Sequence, residues 1–256
     1  MRTTSSQYQG KRPRGRRLLW VVPILIVLLG IWWALHLISP DPASLYAAAV
    51  EDAVTAEPEE LEPLVELTPT DPRTTWDDQG RVLLLSWHRH PERYPAGEDI
   101  TLAGGEIWVF TDREIAAWYQ ENQAGVKDWN LRLKQLIGLP PEAGYTHVSG
   151  FWTDPVEVVR PAYVTDVTAQ MALDFPPDTD PEFREWFADN STFSYEESAY
   201  PWTRLGYTYD WAVGGTEYGL TEFLIEPDAT VEVAFTKTTA DFLTWLDQGA
   251  HLEENS

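Results

Sequence analysis

The chain of 256 residues contains no cysteine. That single absence excludes disulfides, cysteine zinc sites, iron–sulfur clusters and thiol nucleophiles. Positive charge is scarce as well: 18 Lys and Arg stand against 41 Asp and Glu, a formal net charge of −23. A chain of this sign is not expected to take nucleic acid as a partner, because the phosphate backbone rewards the opposite charge. The common fingerprints of hydrolases, zinc proteases, nucleotide binders and dinucleotide enzymes (G-x-S-x-G, H-E-x-x-H, the P-loop, G-x-G-x-x-G) are missing too. No cofactor is expected.

What the chain does hold begins near its start. Residues 18–38 read LLWVVPILIVLLGIWWALHLI, without one acidic or strongly basic side chain. As a helix this run is about 30 Å long, the thickness of a bilayer core. Trp20 lies near one end, and Trp32 and Trp33 near the other, where indoles favour the membrane interface. The flanks are asymmetric. Arg2, Lys11, Arg12, Arg14, Arg16 and Arg17 precede the run, and acids dominate the flank on its C-terminal side. The positive-inside rule therefore predicts a basic cytoplasmic arm (1–17), a single transmembrane helix in contact with lipid (18–38) and an extracytoplasmic C-terminal part. A cleaved secretory signal fits less well, since its apolar region is shorter and a small-residue cleavage site comes close behind it. Beyond Arg17 the chain carries 12 basic and 41 acidic residues, a net −29.

Residues 39–75 are rich in Pro, Glu and Ala, a composition that predicts a stiff acidic stalk, with a short helix over 45–54. Residues 76–256 then read as one extracytoplasmic α+β domain, because strand and helix patterns mix without a regular βαβ rhythm. Short apolar runs predict strands over 82–87, 106–110 and 147–152. Thr111 and Glu114 match a capping box ahead of a helix over 112–123, and a second helix is expected over 126–137. Asp154-Pro155 and Asp180-Pro181 read as cap and first helical residue, and 166–175 is expected to repeat that helical grammar. Residues 205–211 alternate with period two, 218–226 and 230–235 are expected to form a hairpin around Pro227-Asp228, and 239–248 reads as a closing helix.

Candidate chemistry is sparse. His88 and His90 are two apart at a strand end, the spacing that aims two imidazoles one way, but the turn started by Pro91 explains them without a metal. The acids Asp174, Asp178, Asp180 and Glu182 lack the glycine that a calcium loop needs, and helix capping accounts for Asp180. No metal site is expected. Glu222 stands out inside the apolar run YGLTEFLI, where a charge is costly unless paired, with Arg160 and Arg204 as candidate partners. Residues 195–218 interleave aromatics with acids, Thr and Gly. There, Leu205, Tyr207, Tyr209 and Trp211 are expected to face the core, whereas Trp202, Arg204, Thr208 and Asp210 are expected to face outward. Trp202, Arg204, Asp210 and Glu222 are thus the candidate ligand-binding residues. The first reading is a non-enzymatic binding module with an aromatic and acidic surface, whose partner is an envelope glycan or protein. The alternative is a carboxylate-dependent hydrolase acting on envelope glycan or peptide.

Overall fold

A computed structural model describes residues 41–249. The expected basic arm and transmembrane helix lie outside the described residues. Within them no helix is long and apolar enough to cross a membrane. The domain is α+β, as its mixed patterning predicts. Among the described residues, nine strands and five α-helices run in the order α1 (Pro42–Ala53), β1 (Val82–His88), β2 (Asp99–Thr101), β3 (Ile107–Thr111), α2 (Asp112–Asn122), α3 (Trp129–Leu136), β4 (His147–Thr153), β5 (Val158–Val159), α4 (Pro181–Thr192), β6 (Tyr207–Asp210), β7 (Glu217–Thr221), β8 (Phe223–Ile225), β9 (Thr230–Thr238) and α5 (Thr239–Asp247).

Seven strands form one antiparallel sheet in the order β2-β9-β4-β1-β3-β8-β5. Strand β1 lies in the middle, and all seven of its residues are buried. This is why VLLLSW reads as an unbroken apolar run: both faces of the strand are covered. Leu83, Leu85 and Trp87 pack under α2, α3 and α5, against residues such as Ile115, Leu136 and Phe242. Val82 and Leu84 point the other way, into a cluster with Phe151, Phe223 and Val233.

That second face is roofed partly by the segment expected to be a stalk. Val65 and Leu67 are buried in its cluster. Leu64 packs with Leu205 and Tyr207, while Tyr46, Ala49 and Ala53 of α1 pack with Tyr209 and Trp211. The folded unit therefore includes residues from Pro42 onward rather than starting at Trp76. The charged, Pro-rich composition is real, but six buried apolar side chains within it anchor the backbone to the core, and a solvated spacer is not what forms. Arg204 adds a polar tie. Its Nη2 donates to the carbonyls of Ala53 and Val54 at the end of α1, at 3.2 and 2.6 Å. Those carbonyls have no partner within the helix, so a guanidinium is well placed there.

Strands β6 and β7 form a separate two-stranded sheet. It sits against the end of α3: Thr208 Oγ1 donates to the Leu136 carbonyl at 2.8 Å. Gly219 meets the same carbonyl, and a Cβ there would lie 2.1 Å from it. The expected hairpin around Pro227-Asp228 does not form. Strand β8 pairs with β3 and β5, and β9 with β2 and β4. Nor is there a helix over 166–175. The carbonyls of Asp166, Val167 and Ala169 instead accept from the Arg160 guanidinium, at 2.8, 3.0 and 2.7 Å. Asp154 and Asp180 cap as expected, accepting from the amides of Val156 and Glu182.

Candidate functional site

A cleft of about 410 Å³ opens where the ends of β1 and β3, the turn after α3, the end of α4 and the segment leading into β6 meet. Its volume lies within the range of small-molecule sites. Its walls are aromatic, with Trp87, Tyr94, Trp108, Tyr145, Tyr200 and Trp202 among the lining side chains. Trp108 and Trp202 meet edge to face at 6.3 Å, and Trp186 packs against both, at 6.4 and 6.0 Å. The acids on the lining are Glu106, which is exposed, and Glu222, which is buried; no Lys or Arg is among the described lining residues.

Glu222 is the chemical centre of this cleft. It comes directly after Thr221, the last residue of β7, and is only 6% exposed. Its Oε1 has no hydrogen-bond partner among the described residues. Burial pushes the carboxyl up to about 8, against a smaller opposing pull from the Trp202 indole. At neutral pH the group is therefore mostly protonated. Asn190 lines the same cleft from the end of α4, and its Nδ2 is likewise buried without a partner. Two unmatched buried polar groups in one cleft are unusual, because native interiors satisfy nearly all such groups.

His88 lies on the lining at the end of β1. Its Nδ1 accepts from the His90 amide at 3.1 Å. The proton therefore belongs on Nε2, which is 2.8 Å from Ser149 Oγ. Burial, then the neighbouring His147, push this imidazole down to about 4. His88 is thus neutral at pH 7. Tyr94 stands edge-on to it at 4.6 Å. His90 is half-exposed and its Nδ1 lies 3.4 Å from Glu92, so the two rings do not act as a pair.

The four sequence candidates separate. Glu222 and Trp202 line the cleft together. Trp202 is buried, at 5% exposure, rather than outward-facing. Strand alternation does not reach it, because Arg204 adopts φ +62° and breaks the extended backbone ahead of β6. Arg204 is occupied with the end of α1 and with the Tyr163 hydroxyl at 3.2 Å. Asp210 is also buried, against expectation, and accepts both ends of the Arg132 guanidinium, at 2.9 and 2.6 Å. This bidentate pair holds α3 to β6, and Arg132 also lies over the Trp118 ring at 4.5 Å. Neither Arg204 nor Arg160 pairs with Glu222. Arg160 is fully buried among carbonyls, and burial moves it down to about 10. Asn190, Trp108 and His88 complete the cleft. The first two carry no signal in the sequence, and the third is visible there only as a possible ligand.

A second, mostly acidic hollow of about 240 Å³ lies by the end of α1, with Tyr207 and Thr216 beside its acids. There Asp52, Glu60 and Glu217 each bring an oxygen within 4.8 Å of the others, the one grouping among the described residues with the reach to hold a cation. Asp52 Oδ2 already accepts from the Tyr209 hydroxyl at 2.8 Å. Burial, then repulsion from Asp52 and Glu60, push Glu217 up.

No family model matches this chain, and no characterised protein or solved structure matches it either.

Proposed function

We propose that this chain is a membrane-anchored, extracytoplasmic binding module that takes an organic ligand of the cell envelope, part of a glycan or peptide, into the aromatic cleft around Glu222. The observation that carries the reading is the unmatched pair of Glu222 and Asn190 between tryptophan and tyrosine walls. Rings offer stacking surface, and an acceptor and an amide donor on the same lining offer directional hydrogen bonds to whatever enters. Both features resemble a site awaiting its partner more than a core. The location rests on the apolar run at 18–38 and its asymmetric flanks. A reporter fused after Gly249 should work only outside the cytoplasm; activity of a cytoplasm-only reporter there overturns the topology.

The binding reading is tested by titrating the full chain, in detergent, with envelope glycan fragments and peptides while following tryptophan fluorescence. A saturable response should weaken at least tenfold in Trp108→Ala and Glu222→Gln, with both variants still folded. Saturable binding that neither substitution alters places the ligand elsewhere and overturns the reading.

One observation favours a second reading. Glu106 lines the same cleft as Glu222, so an exposed carboxyl and a buried, protonated one share the space. Hydrolysis of a glycosidic bond uses such a pair, one group as acid and one as base or nucleophile. Turnover of any envelope fragment that is lost in both Glu106→Gln and Glu222→Gln supports this alternative. Binding without turnover favours the module.

A further inference from the structure

We infer that the group received by the cleft is an organic ammonium, with Glu222 as its counter-ion and the surrounding rings as its cage. This deepens the binding reading above and rests on it. Three observations converge. First, Glu222 is buried and Oε1 is unpartnered, and no Lys or Arg is among the described lining residues. A buried carboxyl is costly unless something compensates it, and the described lining residues supply no Lys or Arg. Second, the rings of Trp87, Trp108, Tyr145 and Tyr200 line the same space. Aromatic faces attract cations through their quadrupole, and desolvation strengthens the attraction. Third, His88, the one basic group among the described lining residues, is held neutral by burial, so it does not compete for the carboxylate or repel a positive guest. The net charge of −29 beyond Arg17 adds a long-range field of the right sign.

Binding must also balance protons. In the empty cleft Glu222 holds its proton at neutral pH. An ammonium guest favours the carboxylate, so the proton leaves to solvent as the guest enters, and a carboxylate–ammonium pair replaces a neutral acid. Two other titratable groups share its surroundings, and neither is a buried acid without a partner. The Tyr195 hydroxyl donates to the Trp202 carbonyl and is raised by burial, while Glu106 is exposed on the lining.

The test uses the full chain with choline, tetramethylammonium and 1,5-diaminopentane as probes. The neutral isostere of choline, 3,3-dimethylbutan-1-ol, serves as control. Calorimetry at pH 7 in two buffers of different ionisation enthalpy reads affinity and proton release together. The inference expects at least one of the ammonium probes to bind with release of most of one proton. For choline, it expects at least tenfold preference over the isostere. Glu222→Gln should remove the proton release and at least nine-tenths of the affinity, while thermal melting shows that the variant is folded. Equal binding of choline and its isostere, binding without proton release, or no saturable binding of any ammonium probe overturns the inference. In each of those cases, Trp108-dependent binding of a glycan or peptide would leave the broader binding reading standing, so the two failures are distinguishable.

Discussion

Two buried glutamates lie on either side of Thr221, and they differ in one respect that separates structure from function. Glu114, in the first turn of α2, accepts from the Tyr218 hydroxyl at 2.7 Å, the Thr221 amide at 2.9 Å and the Thr221 hydroxyl at 3.0 Å. Thr221 Oγ1 in turn accepts from the Val65 amide at 3.0 Å. Every donor in this group has an acceptor. Glu222 comes one residue later in the chain and turns to the other side, where its Oε1 meets no partner. Burial pushes both carboxyls up. What differs is satisfaction. A closed network of this kind fixes α2, β7 and the 63–67 segment to one another, whereas an open buried acid in a cleft contributes nothing to folding that an apolar residue would not.

This contrast also shows what the sequence can reveal. Glu222 is legible there, because a charge in YGLTEFLI violates the apolar pattern around it. Its surroundings are not, because Asn190, Trp108 and His88 reach the cleft from three different elements. Glu114 misleads. Its spacing from Thr111 matches a capping box, yet Thr111 makes no side-chain cap and Glu114 bonds across to β7 instead. A local motif loses to a tertiary network offering three donors. Central strands and the closing helix are readable because short apolar runs and helical spacing are local signals: 82–87 is observed as Val82–His88, 147–152 as His147–Thr153 and 239–248 as Thr239–Asp247. The pairing expected over 218–235 is not readable. Strand partners are chosen by distant segments, and the turn residues between β8 and β9 are equally compatible with two strands that never pair. The stalk expectation fails because composition averages over residues, and Leu64, Val65 and Leu67 are few among many charges.

The sharpest way to break the closed side is to delete the segment that completes it. A chain beginning at Thr75 loses Val65 from Thr221, Leu67 from the sheet cluster and the whole of α1 from Tyr209 and Trp211. It is expected to lose cooperative thermal unfolding altogether. A sharp transition near that of the full chain would show that residues 42–74 are dispensable after all.

Removing the acceptor itself comes next. Glu114→Ala leaves the Tyr218 hydroxyl and the Thr221 amide and hydroxyl buried without their acceptor, and is expected to destabilise by about 4 kcal/mol, from about 1–3 per orphaned group with partial relaxation. Denaturant unfolding measures this. A cost under about 1 kcal/mol would place Glu114 with the spare acids rather than the structural ones.

Asp210→Asn tests whether a paired acid behaves like Glu114 or like Glu222. It removes the charge facing Arg132, whose side chain is 16% exposed, and breaking such a mostly buried pair costs about 3 kcal/mol. Little change on unfolding would move Asp210 back to the solvent-facing role that strand alternation predicts for it.

The smallest effect is the most diagnostic, because its sign depends on pH. Folding raises the Glu222 carboxyl from 4.5 to about 8. Below pH 4.5 the acid is protonated in both folded and unfolded chains, so it contributes no pH dependence there. Between 4.5 and 8 the unfolded chain releases its proton while the folded chain keeps it. The folded state then binds more protons, and stability falls as pH rises through this window. The loss between pH 5 and pH 7 amounts to about 2–3 kcal/mol. Glu222→Gln cannot ionise, so its stability relative to wild type should rise by that amount over the same interval. Asp112, which burial raises to about 6, titrates in both proteins and cancels in the difference. The measurement is urea unfolding of wild type and variant at pH 5, 6 and 7. A difference that stays flat would mean that Glu222 is already ionised in the folded chain and has found a partner. It would then share the satisfied bonding of Glu114, though not its raised carboxyl, and the open acid that distinguishes the cleft would no longer exist.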